Sequence, residues 1–142
     1  MVEMELSKII IDEKRHDQVI VLKEKTGERL LPIVIGMNEA SAIKMQLAGV
    51  YPLRPMTHDL LKSILDDLNA RVDRIIIDKL EENTFHAKII ISLDGKVKII
   101  DSRPSDSIAL AVRTKSPIFV EEEVLTKTSP FNETDKWDEP PS

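Results

Sequence analysis

The stretch Asp101-Ser102-Arg103-Pro104-Ser105-Asp106-Ser107-Ile108-Ala109-Leu110-Ala111 decides the fold, because a strand ends in it and a helix begins. Val97, Ile99 and Ile100 before it read as a half-buried strand, and Ile108, Ala109, Ala111 and Val112 recur at helical spacing. Ser102 or Ser105 can cap the first turn, and Pro104 fits there because it has no N–H to leave unbonded. Free N–H groups at a helix start attract anions, and Arg103 beside them adds a planar fork suited to phosphate or carboxylate. The plainer reading is that Asp101 and Arg103 pair with each other or with a neighbouring loop.

Working outward, Lys96 to Asp101 is reached through the turn Asp94-Gly95 from a strictly alternating strand, Thr84 to Leu93, with Val72 to Leu80 before that. Downstream the helix runs from about Ser105 to Thr114, then Pro117 and a short strand, Ile118 to Val120. The N-terminal part repeats the style. Met4 to Ile11 and Gln18 to Glu24 form a hairpin, and Arg29 to Ile35 is a third strand in which Pro32 argues for a sheet edge or a bulge. Gly36-Met37-Asn38-Glu39 opens a helix with Ala40, Ile43 and Leu47 on one face and Gly49 as its stop. A second helix, about Thr57 to Asn69, is expected to turn Leu60, Leu61, Ile64, Leu65 and Leu68 inward.

The order is βββααβββαβ, an α+β arrangement with a mixed, largely antiparallel sheet and three helices. Glu39-Ala40-Ser41-Ala42-Ile43 and Asp106-Ser107-Ile108-Ala109-Leu110 share acid, small, any, Ala, aliphatic, each in the first turn of a helix that follows a strand. Two halves related by a pseudo-twofold would bring Glu39 and Asp106 to one cleft; a preference of acids for first turns explains the same pattern without a repeat.

Length and composition bound the rest. A chain of 142 residues is expected to form one core, and with aromatics at 4% that core must be aliphatic. The reading divides it into a domain over 1–125 and a polar tail over 126–142, docked on the body or on a partner subunit through Phe131 and Trp137. There is no cysteine, no N-terminal signal pattern and no apolar run of spanning length, which points to a cytoplasmic protein. Abundant Lys and Glu with few Asn and Gln resemble thermophile composition. The net charge of −5 excludes a general electrostatic grip on nucleic acid, so DNA or RNA must be held by a local cluster or through a metal ion. Sheet edges or the tail are expected to make a homo-oligomer, a dimer first.

Arg54-Pro55-Met56-Thr57-His58-Asp59 mirrors the opening stretch, with Arg-Pro, a hydroxyl able to cap and an acid in the first helical turn. His58 is the histidine best placed for proton transfer, whereas His16 and His86 read as surface residues. No zinc spacing, phosphate loop, dinucleotide fingerprint or serine-hydrolase elbow is present.

Leu31-Pro32-Ile33-Val34-Ile35-Gly36 with Glu39-Ala40, then Arg54 to Leu60, then Asp101 to Ala111, resemble the bifunctional nuclease domain over roughly Met4 to Val124. That resemblance implies a nuclease acting on DNA and RNA, as plant relatives are described, and a single-domain bacterial member without the companion helical segment of some relatives. The family brings no settled catalytic set, so the expected site follows from residue chemistry. His58, Asp59, Glu39, Asp101 and Asp106 are the candidate catalytic groups, and Arg54 and Arg103, with Thr57, Ser102 and Ser105, would hold the phosphate. Asp101, Asp106 and Glu39 would bind Mg2+ or Mn2+, with no organic cofactor. The competing expectation is a non-catalytic regulatory or anion-binding oligomeric module.

Overall fold

Alternating apolar runs joined by tight turns give seven strands, which hydrogen-bond into one sheet. In the computed structural model, which describes residues 1–12 and 17–128, the elements are β1 (Val2–Asp12), β2 (Asp17–Glu24), β3 (Leu30–Ile35), α1 (Met37–Leu47), α2 (Thr57–Asp67), β4 (Arg71–Glu81), β5 (Thr84–Leu93), β6 (Lys96–Ser102), α3 (Pro104–Thr114), β7 (Ile118–Val120) and α4 (Glu122–Lys127). The fold is α+β, and the sheet order is β3-β2-β1-β7-β4-β5-β6. Every pairing is antiparallel except β4 with β7. Asp94 and Gly95 sit at φ 51° and 75°, and Glu82 and Asn83 at 50° and 63°. A left-handed pair at both turn positions matches the twist of the flanking strands, which makes β4–β5–β6 a tight meander.

The meander β1–β3 followed by α1 recurs as β4–β6 followed by α3 on the other side of β7. Because β7 runs antiparallel to β1 and parallel to β4, the two meanders run in opposite senses, as a twofold normal to the sheet requires. Pro32 lies on β3, an edge strand, the place in a sheet where a residue without an N–H is tolerated. The core is aliphatic: Ile20, Leu22, Leu31, Ile75 and Ile77 from the sheet are fully buried against Ile43 of α1 and Ile108 of α3. Each such side chain stabilises by roughly 1.5–3 kcal/mol on burial. α3 is the central helix, with Pro104 in its first turn and Ile108, Ala109, Leu110 and Ala111 all buried.

Four expectations are corrected. Leu60, Leu61, Ile64 and Leu68 of α2 are 54%, 40%, 47% and 60% exposed, and Leu65 alone of the five is half-buried. The helix lies on the body through its polar face instead, since its first turn is fixed by ionic contacts described below. Leu47 at the end of α1 is likewise exposed, although Ala40 and Ile43 are buried as expected. Val97, Ile99 and Ile100 are exposed rather than half-buried, because β6 is the other edge of the sheet. The order is βββααβββαβα, the additional α4 being too short for its period to register; the bidentate pair of Arg29 with Glu122, at 2.7 and 3.0 Å, holds it to the β2–β3 turn. α4 spans the division expected at 125/126. Phe131, Trp137 and the docking of the tail, like His16, lie outside the described residues. Among the described residues no helix is long and apolar enough to cross a membrane.

The burial pattern sets an expected contrast in stability. Leu22→Ala or Ile75→Ala removes a fully buried side chain and is expected to cost about 2–5 kcal/mol by denaturant unfolding. Val97→Ala on the exposed edge strand should stay within about 0.5 kcal/mol of the parent.

Candidate functional site

Three helices begin with an acid as their third residue: Glu39 in α1, Asp59 in α2 and Asp106 in α3. Carboxylates favour that position because the first-turn N–H groups lack partners and the helix dipole is positive there. The β6–α3 bend adds Arg103, the N-cap residue of α3, whose Nε donates to Asp106 Oδ2 at 2.9 Å and whose Nη2 donates to Glu39 Oε1 at 2.8 Å. His58, the second residue of α2, places Nε2 2.9 Å from Asp106 Oδ1. One aspartate thus accepts from an imidazole and a guanidinium, and the guanidinium spans to a second helix. Glu39 and Asp106, equivalent positions of the two meander-plus-helix units, meet on one cation.

A second contact completes the cluster. Arg113 in the last turn of α3 is buried; its Nε donates to Asp59 Oδ1 at 2.7 Å, Nη1 to the Ala109 carbonyl at 2.9 Å and Nη2 to the Ala42 carbonyl at 3.2 Å. Asp59 Oδ2 accepts from the Met56 N–H at 3.0 Å, closing the first turn of α2 from within. His58 and Asp59 thereby fasten α2 to α3, and Arg113 fastens both to α1.

Burial would raise the Asp106 carboxyl, but the hydrogen bonds from His58 and Arg103 outweigh it and hold the group below the ordinary aspartate value. Asp106 is therefore an acceptor, and His58 Nε2 is the nitrogen that donates to it, which leaves Nδ1 as the other ring nitrogen. The Arg113 guanidinium likewise holds Asp59 below its usual range, and the carboxylates around Arg103 raise that guanidinium further. Exposure separates the members: the His58 side chain is 9% exposed, Glu39 16%, Asp106 32% and Arg103 67%. Arg103 Nη1 makes no hydrogen bond with any described residue. Beside it an open cleft of about 450 Å3 is lined by Ile35, Gly36, Thr84, Phe85, Arg103 and Ser105, among others.

Of the residues expected to form a site, Glu39, His58, Arg103 and Asp106 share one hydrogen-bonded network, and Asp59 adjoins it through the chain. Asp101 is not in that network: Lys88 across the β5–β6 ladder takes it at 2.8 Å and holds its carboxyl below the usual range, so it does not pair with Arg103. Neither serine caps α3, since Ser102 Oγ donates to the Arg103 carbonyl and no side chain bonds at the N-cap. Ser105 is buried at the cleft, while Arg54 and Thr57 are exposed, and Thr57 lies within α2 rather than capping it. His86 is half-buried on β5. Arg113 escaped the sequence reading, although an arginine following the apolar run Ile108 to Val112 was a signal for a buried cation with a carboxylate partner. Among the described residues no group of three or more His, Cys, Asp or Glu is arranged to hold a metal ion.

Residues 20–133 match the family described as the bifunctional nuclease domain. Two Mycobacterium tuberculosis proteins, from strains CDC 1551 and H37Rv and both named only as uncharacterized, are 40% identical over 127 residues, 89% of this chain and 76% of theirs. Bifunctional nuclease 2 of Oryza sativa subsp. japonica is 30% identical over 78% of this chain and 35% of its own length. Bifunctional nuclease 1 of Arabidopsis thaliana is 27% identical over 74% and 33%. The chain thus spans about a third of these plant proteins.

Arg113→Met is expected to cost about 3–5 kcal/mol, because Asp59 and two carbonyls lose a buried donor. A Cβ at Gly36 would lie 2.7 Å from Glu39 Oε2, and Gly36 has an ordinary φ of −74°. Gly36→Ala should therefore keep the fold while displacing Glu39 from Arg103, seen as a moved Arg103 Nη2–H resonance. Asp59 and Asp106 have folded-state values below their unfolded ones, so their pairing stabilises fully above about pH 4 and is lost as pH falls through the lowered values. Denaturation midpoints are expected to decline below about pH 4 in the parent and less steeply in Asp59→Asn.

Proposed function

The chain belongs to the bifunctional nuclease domain family, and from that premise we propose that it hydrolyses phosphodiester bonds of DNA or RNA at the cluster where α1, α2 and α3 begin. The observation that carries this reading is Arg103: a guanidinium seated between two carboxylates, two-thirds exposed, with Nη1 directed to no described partner at the edge of a cleft. A phosphate oxygen is the anion such a fork suits. His58 takes the proton of an attacking water at Nδ1, while Asp106 holds the ring by Nε2 and offsets the positive charge the ring acquires. Arg103 neutralises charge on the phosphate and fixes its position relative to His58.

Glu39 and Asp106 are the pair that would hold Mg2+ or Mn2+, ions that use one or two carboxylates and complete their shell with water and phosphate oxygens. When bound, the ion supplies charge neutralisation at the phosphate and a more acidic water. Asp101, taken by Lys88, is not part of this donor set. The residues fit an ion recruited with substrate better than a standing site, since Arg103 occupies both carboxylates. That same occupancy favours the second reading, an anion-binding module without catalysis.

The test is cleavage of single-stranded DNA, duplex DNA and RNA by the purified chain with Mg2+, with Mn2+ and with chelator. Nuclease activity is expected to need the divalent ion and to fall at least about 100-fold in His58→Gln and Asp106→Asn. Arg103→Ala, at an exposed position, should raise KM and lower kcat without lowering the unfolding free energy by more than about 1 kcal/mol. Cleavage that persists in all three variants places the activity elsewhere; phosphate binding that needs Arg103, with no cleavage, establishes the second reading.

A further inference from the structure

α2 is inside out for a helix on a core. His58, Lys62 and Leu65 follow one another at helical spacing and lie toward α3, whereas Leu60, Ile64 and Leu68, with Leu61 beside them, form a ridge at every fourth residue that faces outward. The connection before it continues the exposure, with Tyr51 76% and Leu53 fully accessible. Of the sixteen large hydrophobics exposed among the described residues, nine fall between positions 47 and 68. The four ridge residues together expose the equivalent of about two whole residues, so the ridge closes a standard interface of ~800 Å2 per partner only together with the connection before it.

We infer that the outward ridge of α2 is a homodimer interface, closed by the same ridge of a second copy. Charge argues against the other occupants. Positions 47 to 68 hold Arg54 and Lys62 against Asp59, Asp66 and Asp67, a balance of −1 with His58 neutral, so neither an anionic lipid surface nor nucleic acid is attracted there. The ridge also complements itself. Leu60, Ile64 and Leu68 are symmetric about Ile64, so two copies of α2 crossing antiparallel on a twofold through Ile64 set Leu60 of each against Leu68 of the other and Ile64 against Ile64. Interdigitating ridges of this spacing are the commonest packing between helices, and an isologous contact is the commonest symmetry of oligomers. The dimer would press on the helix whose first turn carries His58 and Asp59.

The absence of cysteine supplies the test. Sedimentation velocity of the full chain at tens of micromolar is expected to give a species of twice 16.1 kDa. Ile64→Lys should convert it to a monomer with an unchanged helical spectrum, since Ile64 is outside the core. Ile64→Cys should form a covalent dimer on mild oxidation, while Val97→Cys on the exposed β6 edge should stay largely uncrosslinked. A monomeric parent overturns the inference, and so does a dimer that survives Ile64→Lys or crosslinks through position 97 rather than 64.

Discussion

The carboxylate of Asp106 is the point on which the arrangement of the helices turns. It accepts from His58 on α2 and from Arg103 on its own bend, and Arg103 passes the connection to Glu39 on α1. Apolar packing alone would not give α2 that position, since the face it turns inward carries His58 and Lys62, with Leu65 as its apolar member. Burying such a face is unfavourable unless its polar groups find partners. Asp106 partners His58, Arg113 partners the neighbouring Asp59, and Lys62 pairs with Asp66 of its own helix, so the helix that completes the cluster is located by hydrogen bonds and the sheet behind it by aliphatic packing.

Much of this was legible in the sequence because it is written in period. Asp94-Gly95 marks its hairpin, Pro32 marks its edge, and the matching first turns of α1 and α3 raise the meeting of Glu39 and Asp106 as one of two explanations of the pattern. What was not legible shares one cause: periodicity reports that a stripe exists, not which way it faces. For α2 the stripe Leu60, Leu61, Ile64 and Leu68 was assigned to the core because apolar stripes usually go there, yet the ionic anchors of its first turn fix the opposite orientation. The same holds for Val97 and Ile99, whose alternation fits a half-buried strand equally well at the centre of a sheet or at its edge. Proximity along the chain groups Asp101 with Arg103, but Arg103 has left the strand for the start of α3, and the cross-strand neighbour Lys88 claims Asp101.

The two halves of the polar cluster differ in what they cost to break, and that difference bears on chemistry. Arg113 with Asp59 is shielded, its guanidinium 5% exposed and bonded to two carbonyls besides. Removing either partner strands a charge, which costs several kcal/mol. Arg103 is 67% exposed, and an exposed pair contributes about 0–1 kcal/mol. On the proposed reading a phosphate meets Arg103 at Nη1, so Glu39 and Asp106 keep Nη2 and Nε, α2 stays fixed by Asp59 and His58 stays on Asp106. The closed charge balance is thus compatible with the proposed reading: the nitrogen left for a phosphate lies on the exposed guanidinium, and the contacts that preserve the geometry are the buried ones.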